Sequence, residues 1–157
     1  MRSTVDHMRN TLLVLHILGV ATWFGANMVL AFAGPRAAHA SAETRLWWAT
    51  TQGAMARVLY NVAGIVVLIT GVVLVLDSDF LSFADTFVTI GFVAVLIGAV
   101  LGMAVFGPGS RKIADAIERG DEAEERSLNN RLAVFGAIDS LVLVFAIAAM
   151  VGKWGLG

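Results

Sequence analysis

Apolar residues fill four stretches of this chain with few interruptions, and polar residues collect between them. The stretches run over 11–33, 54–76, 84–106 and 132–154. Each meets the length of about 20 residues that a helix needs to cross a hydrocarbon core. The pattern predicts an all-α fold: a polytopic membrane protein whose four transmembrane helices form a bundle, with residues 1–157 as a single membrane domain. Two connections, 34–53 and 107–131, are long and polar, and the one between the second and third stretches is short. Gly107-Pro108-Gly109 is expected to stop the third helix, because proline lacks a backbone donor and clashes with the preceding turn. Ser110 is then placed to cap a short amphipathic helix over 111–125, with Ile113, Ala116 and Ile117 on its apolar face at the headgroup level. Trp47, Trp48 and Trp154 fall where aromatic anchors sit at a membrane interface.

Composition supports the same class. The chain is 58% hydrophobic and 15% charged, whereas soluble domains carry about 25% charged residues. The absence of cysteine excludes disulfides, iron–sulfur clusters and thiolate metal sites. Ala31-Phe32-Ala33 resembles a signal-peptide cleavage site. The preceding apolar run is about 22 residues, however, longer than the 7–15 of a signal peptide, so the first span is expected to be retained.

The distribution of charge gives an orientation. Of 11 Lys and Arg residues, eight lie in or beside the two long connections: Arg36, Arg45, Arg57, Arg111, Lys112, Arg119, Arg126 and Arg131. Arg2, Arg9 and Lys153 lie at the opposite side. The positive-inside rule puts the long connections in the cytoplasm and both termini outside a bacterial-type cytoplasmic membrane. The expected partners are the lipid bilayer, further copies of the chain or other subunits of a membrane complex, and not nucleic acid.

Polar residues inside the spans fall into two layers, reckoned at 1.5 Å per residue. Asn27, Arg57, Asn61 and Asp139 come from three spans and lie about 5–10 Å from the cytoplasmic edge. Such groups are expensive in lipid and are expected to face inward and pair. Arg57 and Asn61 share a stripe with Gly64, Leu68 and Gly71. The second layer contains His16, about 8 Å from the outer edge, level with Thr70 and Thr89, with Met150 nearby in depth. His16, Val20, Trp23 and Asn27 share one helix face. Imidazole and thioether are suitable axial ligands for a haem iron, and they also suit copper. A histidine bonded to a neighbouring hydroxyl such as Thr89 fits the same spacing. Gly91, Gly98 and Gly102 line the third span, Gly98 and Gly102 as a GxxxG, which serves close helix packing or leaves room for a flat macrocycle.

Several short motifs carry a family resemblance. Leu15-His16-Ile17, Thr22-Trp23-Phe24-Gly25 and Pro35-Arg36 resemble the first-helix pattern of HemJ-type membrane proteins, and Arg57-Val58-Leu59-Tyr60 with Thr70-Gly71 resembles the second. These are haem b-binding proteins associated with protoporphyrinogen oxidation, related to CopD-type copper-resistance proteins and to uncharacterised four-helix relatives. The resemblance covers mainly residues 12–76. It implies haem b held by His16 and a HemJ-like oxidoreductase or accessory role. Depth and spacing add Trp23, Met150 and Thr89 as candidates around the cofactor; copper on His16 and Met150 is the alternative, and a non-catalytic subunit of a larger membrane complex is another. The third span departs from the pattern. Thr86 or Thr89 stands where a Lys is expected near its outer start.

Overall fold

The computed structural model describes residues 2–156, and among these every regular element is helical. Four helices account for nearly all of it: α1 (Arg2–Ala37), α2 (Ala42–Leu76), α3 (Thr86–Arg119) and α4 (Glu122–Gly152). All four contain windows long and apolar enough to span a bilayer. Short connections make consecutive helices antiparallel, so the bundle runs up, down, up and down. Its two ends differ: both termini and the 77–85 connection lie at one (the terminal end), the other two turns at the opposite (the basic end).

Many large apolar side chains stand on the exterior, and many small ones are buried. Phe32, Leu96, Leu141 and Phe145 stand exposed, while Ala26, Ala63, Ala94, Ala146 and Ala149 are buried between helices. Lipid is as apolar as leucine, so large side chains gain nothing by turning inward and small ones let the helices approach. This arrangement defines an integral membrane protein of the four-helix-bundle class.

At 31 to 36 residues, the helices are about 46–54 Å long, well over the roughly 30 Å of a hydrocarbon core. The surplus of α2, α3 and α4 projects at the basic end as a helical collar, whereas α1 extends mainly at the terminal end. The expected loops at 34–53 and 107–131 are therefore mostly helix, reduced to tight turns at 38–41 and 120–121. Ser41 caps α2 by accepting from the Thr44 N–H, and Gly120 adopts a left-handed φ of 72° before Asp121 caps α4. Ile113 and Ala116 are buried where the extensions of α2 and α3 meet, so the amphipathic segment packs on protein and not on headgroups. Trp48 is buried as well, and of the adjacent pair only Trp47 is exposed as an anchor requires. Arg45 Nε lies 3.0 Å from the Glu125 carboxylate, joining α2 to α4 across the collar.

The expected stop at Gly107-Pro108-Gly109 does not occur, because α3 widens into a π-helical turn over Gly102–Phe106 directly before it. There the Gly107 N–H bonds back to the Gly102 carbonyl. A wider turn removes the steric conflict between the proline ring and the carbonyl four residues back, and the helix continues. Ser110 is not a cap: its hydroxyl is buried and donates to the Phe106 and Gly107 carbonyls. A second π-helical turn, Ala56–Tyr60, interrupts α2. The two turns face each other, with the Tyr60 and Phe106 rings 6.1 Å apart.

Candidate functional site

All four helices contribute to one cavity of about 610 Å³ in the terminal-end half of the bundle. Its walls are almost entirely apolar, with Phe24, Val67, Phe87, Val95 and Leu143 among them. His16 and Met150 both border it, from α1 and α4, and Trp23 closes it toward the middle of the membrane.

Three glycines make room for these three side chains. A methyl group at Gly71 would lie 3.2 Å from His16 Cε1, one at Gly91 would lie 2.3 Å from Met150 Cε, and one at Gly98 would lie 1.9 Å from Trp23 Cζ2. Gly102 has nothing within 4 Å of that position. The GxxxG of α3 therefore seats an indole ring at its first glycine instead of joining two backbones.

The His16 ring is held by a hydroxyl, and that hydroxyl belongs to Thr70. Nδ1 lies 2.9 Å from Thr70 Oγ1. Thr70 commits its own proton to the helix, donating to the Val66 carbonyl at 2.5 Å. The oxygen therefore receives the His16 Nδ1–H, and Nε2 keeps its lone pair; this proton placement follows from the hydrogen-bond network. A ring nitrogen fixed in this way, with the other available, is the usual state of a ligating histidine. Thr89 takes no part. It is exposed, does not border the cavity, and donates to the Phe83 carbonyl in the preceding turn.

Beneath the cavity lies the buried polar cluster, which includes two of the four residues expected in the inner layer. Asp139 is 1% exposed, and its Oδ2 accepts from Trp23 Nε1 at 2.9 Å and from Asn27 Nδ2 at 2.8 Å. Tyr60 completes the chain by donating to Asn27 Oδ1 at 2.5 Å. Arg57 and Asn61 are not in it. Both are exposed, and Arg57 Nε points back to the Gly53 carbonyl of its own helix at 3.3 Å. The buried stripe of α2 is Ala56, Tyr60, Ala63, Val67 and Thr70, one position earlier than the expected 57, 61, 64, 68 and 71. One residue is about 100° of rotation, enough to carry both polar side chains to the outside. Trp23, expected beside a cofactor, thus serves two sites: its ring walls the cavity and its N–H binds Asp139.

Toward the basic end, Ala56, Leu101 and Phe106 form an apolar plug below the cluster. Among the described residues no group of three or more His, Asp or Glu side chains could hold a metal ion. No protein-family model, curated protein or solved structure matches this chain.

Proposed function

We propose that this integral membrane protein binds haem b in the interhelical cavity, with His16 as iron ligand, and serves a redox or accessory role in a bacterial-type cytoplasmic membrane with both termini outside. The observation that carries this reading is the pairing of a histidine anchored through Nδ1 to Thr70 with an apolar cavity of about 610 Å³ that it borders. That volume lies within the roughly 300–1,000 Å³ of cofactor sites and far exceeds what a single copper ion needs. The donor set fits haem iron, since imidazole and thioether are both familiar axial ligands. Gly71 and Gly91 fit as well, because side chains there would collide with His16 and Met150.

When bound, haem supplies one-electron exchange. The residues of this chain bind and orient. Thr70 holds the His16 ring through Nδ1, and Met150, which borders the same cavity from α4, would tune the iron of a bound haem. Asp139 holds the Trp23 indole at the cavity floor, and the apolar walls exclude water. The resemblance of the first and second helices to HemJ-type proteins points the same way.

Absorption spectroscopy of detergent-purified protein supplied with haem tests the proposal. The wild type is expected to show a Soret band, His16→Ala to lose it while remaining folded by circular dichroism, and Met150→Leu to keep haem with a changed spin state or potential. A colourless wild type, or full haem occupancy in His16→Ala, refutes it.

A further inference from the structure

The cavity has an asymmetry that its apolar walls do not explain: among its lining residues only Arg9 and Lys153 are cationic, and both are exposed residues of the terminal end. We infer that this mouth recognises carboxylates, and that Arg9 and Lys153 hold the acid groups of a tetrapyrrole whose ring occupies the apolar interior. The inference rests on the haem reading and adds to it the direction in which the macrocycle enters.

Lys153 is placed at some cost. It is the only non-glycine residue with positive φ among those described, at 50°, a left-handed conformation that is unfavourable for a residue with a side chain. Its neighbours fix it there. The Trp154 N–H bonds to the Ala149 carbonyl at 3.2 Å, and the Trp154 carbonyl accepts the Phe87 N–H at 3.0 Å, capping the start of α3. The Trp154 ring packs edge-on against Phe145. Lys153 Nζ then stands 5.0 Å from the centroid of the Phe87 ring, itself part of the cavity wall.

Among the described side chains no carboxylate pairs with these cations. Asp77, Asp79 and Asp85, which lie at this end, do not line the cavity, and Asp85 Oδ2 accepts from the Ser82 N–H in its own turn. Both ion pairs among the described residues, Arg45–Glu125 and Arg119–Glu124, lie at the basic end. An apolar chamber with two cations at its lip suits an amphiphile with an apolar body and anionic groups at one edge. A guanidinium and an ammonium pair with carboxylates by charge-assisted hydrogen bonds.

Titrations of the full-length protein in detergent with haem and with its dimethyl ester separate the acid groups from the ring. The wild type is expected to bind the ester about tenfold more weakly. In Arg9→Gln/Lys153→Gln that preference disappears, because affinity for the acid falls to that for the ester, while the Soret band of the ester complex stays unchanged. Lys153→Gly, which relieves the backbone and removes the charge, should lose preference as Lys153→Gln does; a loss in Lys153→Gln alone would trace the effect to strain and count against the inference. Equal wild-type affinity for acid and ester overturns the inference while leaving the haem reading intact. A wild type that binds neither form overturns both. Displacement of haem by an equal concentration of palmitate overturns it too, reassigning the mouth to a lipid acid.

Discussion

Replacing Gly98 with alanine adds one methyl group at the most crowded point of the bundle. That methyl would lie 1.9 Å from Trp23 Cζ2, 2.2 Å from Cη2 and 3.2 Å from Cε2, whereas carbon atoms in contact sit about 3.5–4.0 Å apart. The indole is rigid and 3% exposed, so relief requires it to move by about 1.5–2 Å as a unit. A shift of that size breaks the 2.9 Å bond from Trp23 Nε1 to Asp139. Overpacking costs about 1–3 kcal/mol, and loss of a buried hydrogen bond to a carboxyl costs about 1.5–3 kcal/mol. Removing a helical glycine returns about 1 kcal/mol, which leaves a net loss of about 1.5–5 kcal/mol. Gly102→Ala is the internal control, because a methyl group there meets nothing within 4 Å; it should fall within about 1 kcal/mol of the wild type, on the stabilised side. Unfolding by SDS titration in mixed micelles, followed by tryptophan fluorescence, measures both. Trp23→Ala in the Gly98→Ala background should cost less than the sum of the two single changes, since the clash needs both partners. Equal losses in the two glycine variants would mean that the GxxxG joins helices, and a loss below about 0.5 kcal/mol for Gly98→Ala would mean that no ring fills the notch.

Two further predictions concern the polar cluster and the topology. Asp139→Leu leaves the Trp23 and Asn27 donors unpaired and should cost about 2–4 kcal/mol; with Arg57→Leu the effects should add within about 0.5 kcal/mol, because the arginine lies outside the cluster, and a coupling above 1 kcal/mol in that double-mutant cycle would place it inside. A cysteine replacing Glu118 should react with a membrane-impermeant maleimide only after permeabilisation, and one replacing Leu156 should react in intact cells; the reverse pattern inverts the orientation.

The four spans were legible because about 20 apolar residues in a row have few other uses. The inward face of α2 was not. In a soluble helix the apolar stripe marks the core, but α2 is apolar all round, so attention falls on its polar and small positions, Arg57, Asn61, Gly64 and Gly71. The buried stripe beside them reads Ala, Tyr, Ala, Val, Thr and looks no different from a lipid-facing one. Asp139 and Asn27 were legible because their cost in lipid permits few placements. Trp23 as a partner of Asp139 could have been found from its depth, since tryptophan prefers the interface and a central one needs a reason. Helix continuation through Gly107-Pro108-Gly109 depends on a π turn whose residues, Gly102–Phe106, have no distinctive composition.

The facing π turns at Ala56–Tyr60 and Gly102–Phe106 act as gear teeth between two halves of the molecule. Each marks where one residue can enter or leave a helix without ending it, and each such event turns everything beyond by about 100°. A deletion inside Ala56–Tyr60 would hardly shorten α2, yet it would swing Thr70 away from His16 or rotate the collar off its partners. The length of these two turns, more than the identity of their residues, is what sets the collar and the cavity in register, and a relative that has gained or lost one residue there would present different side chains to the same chamber.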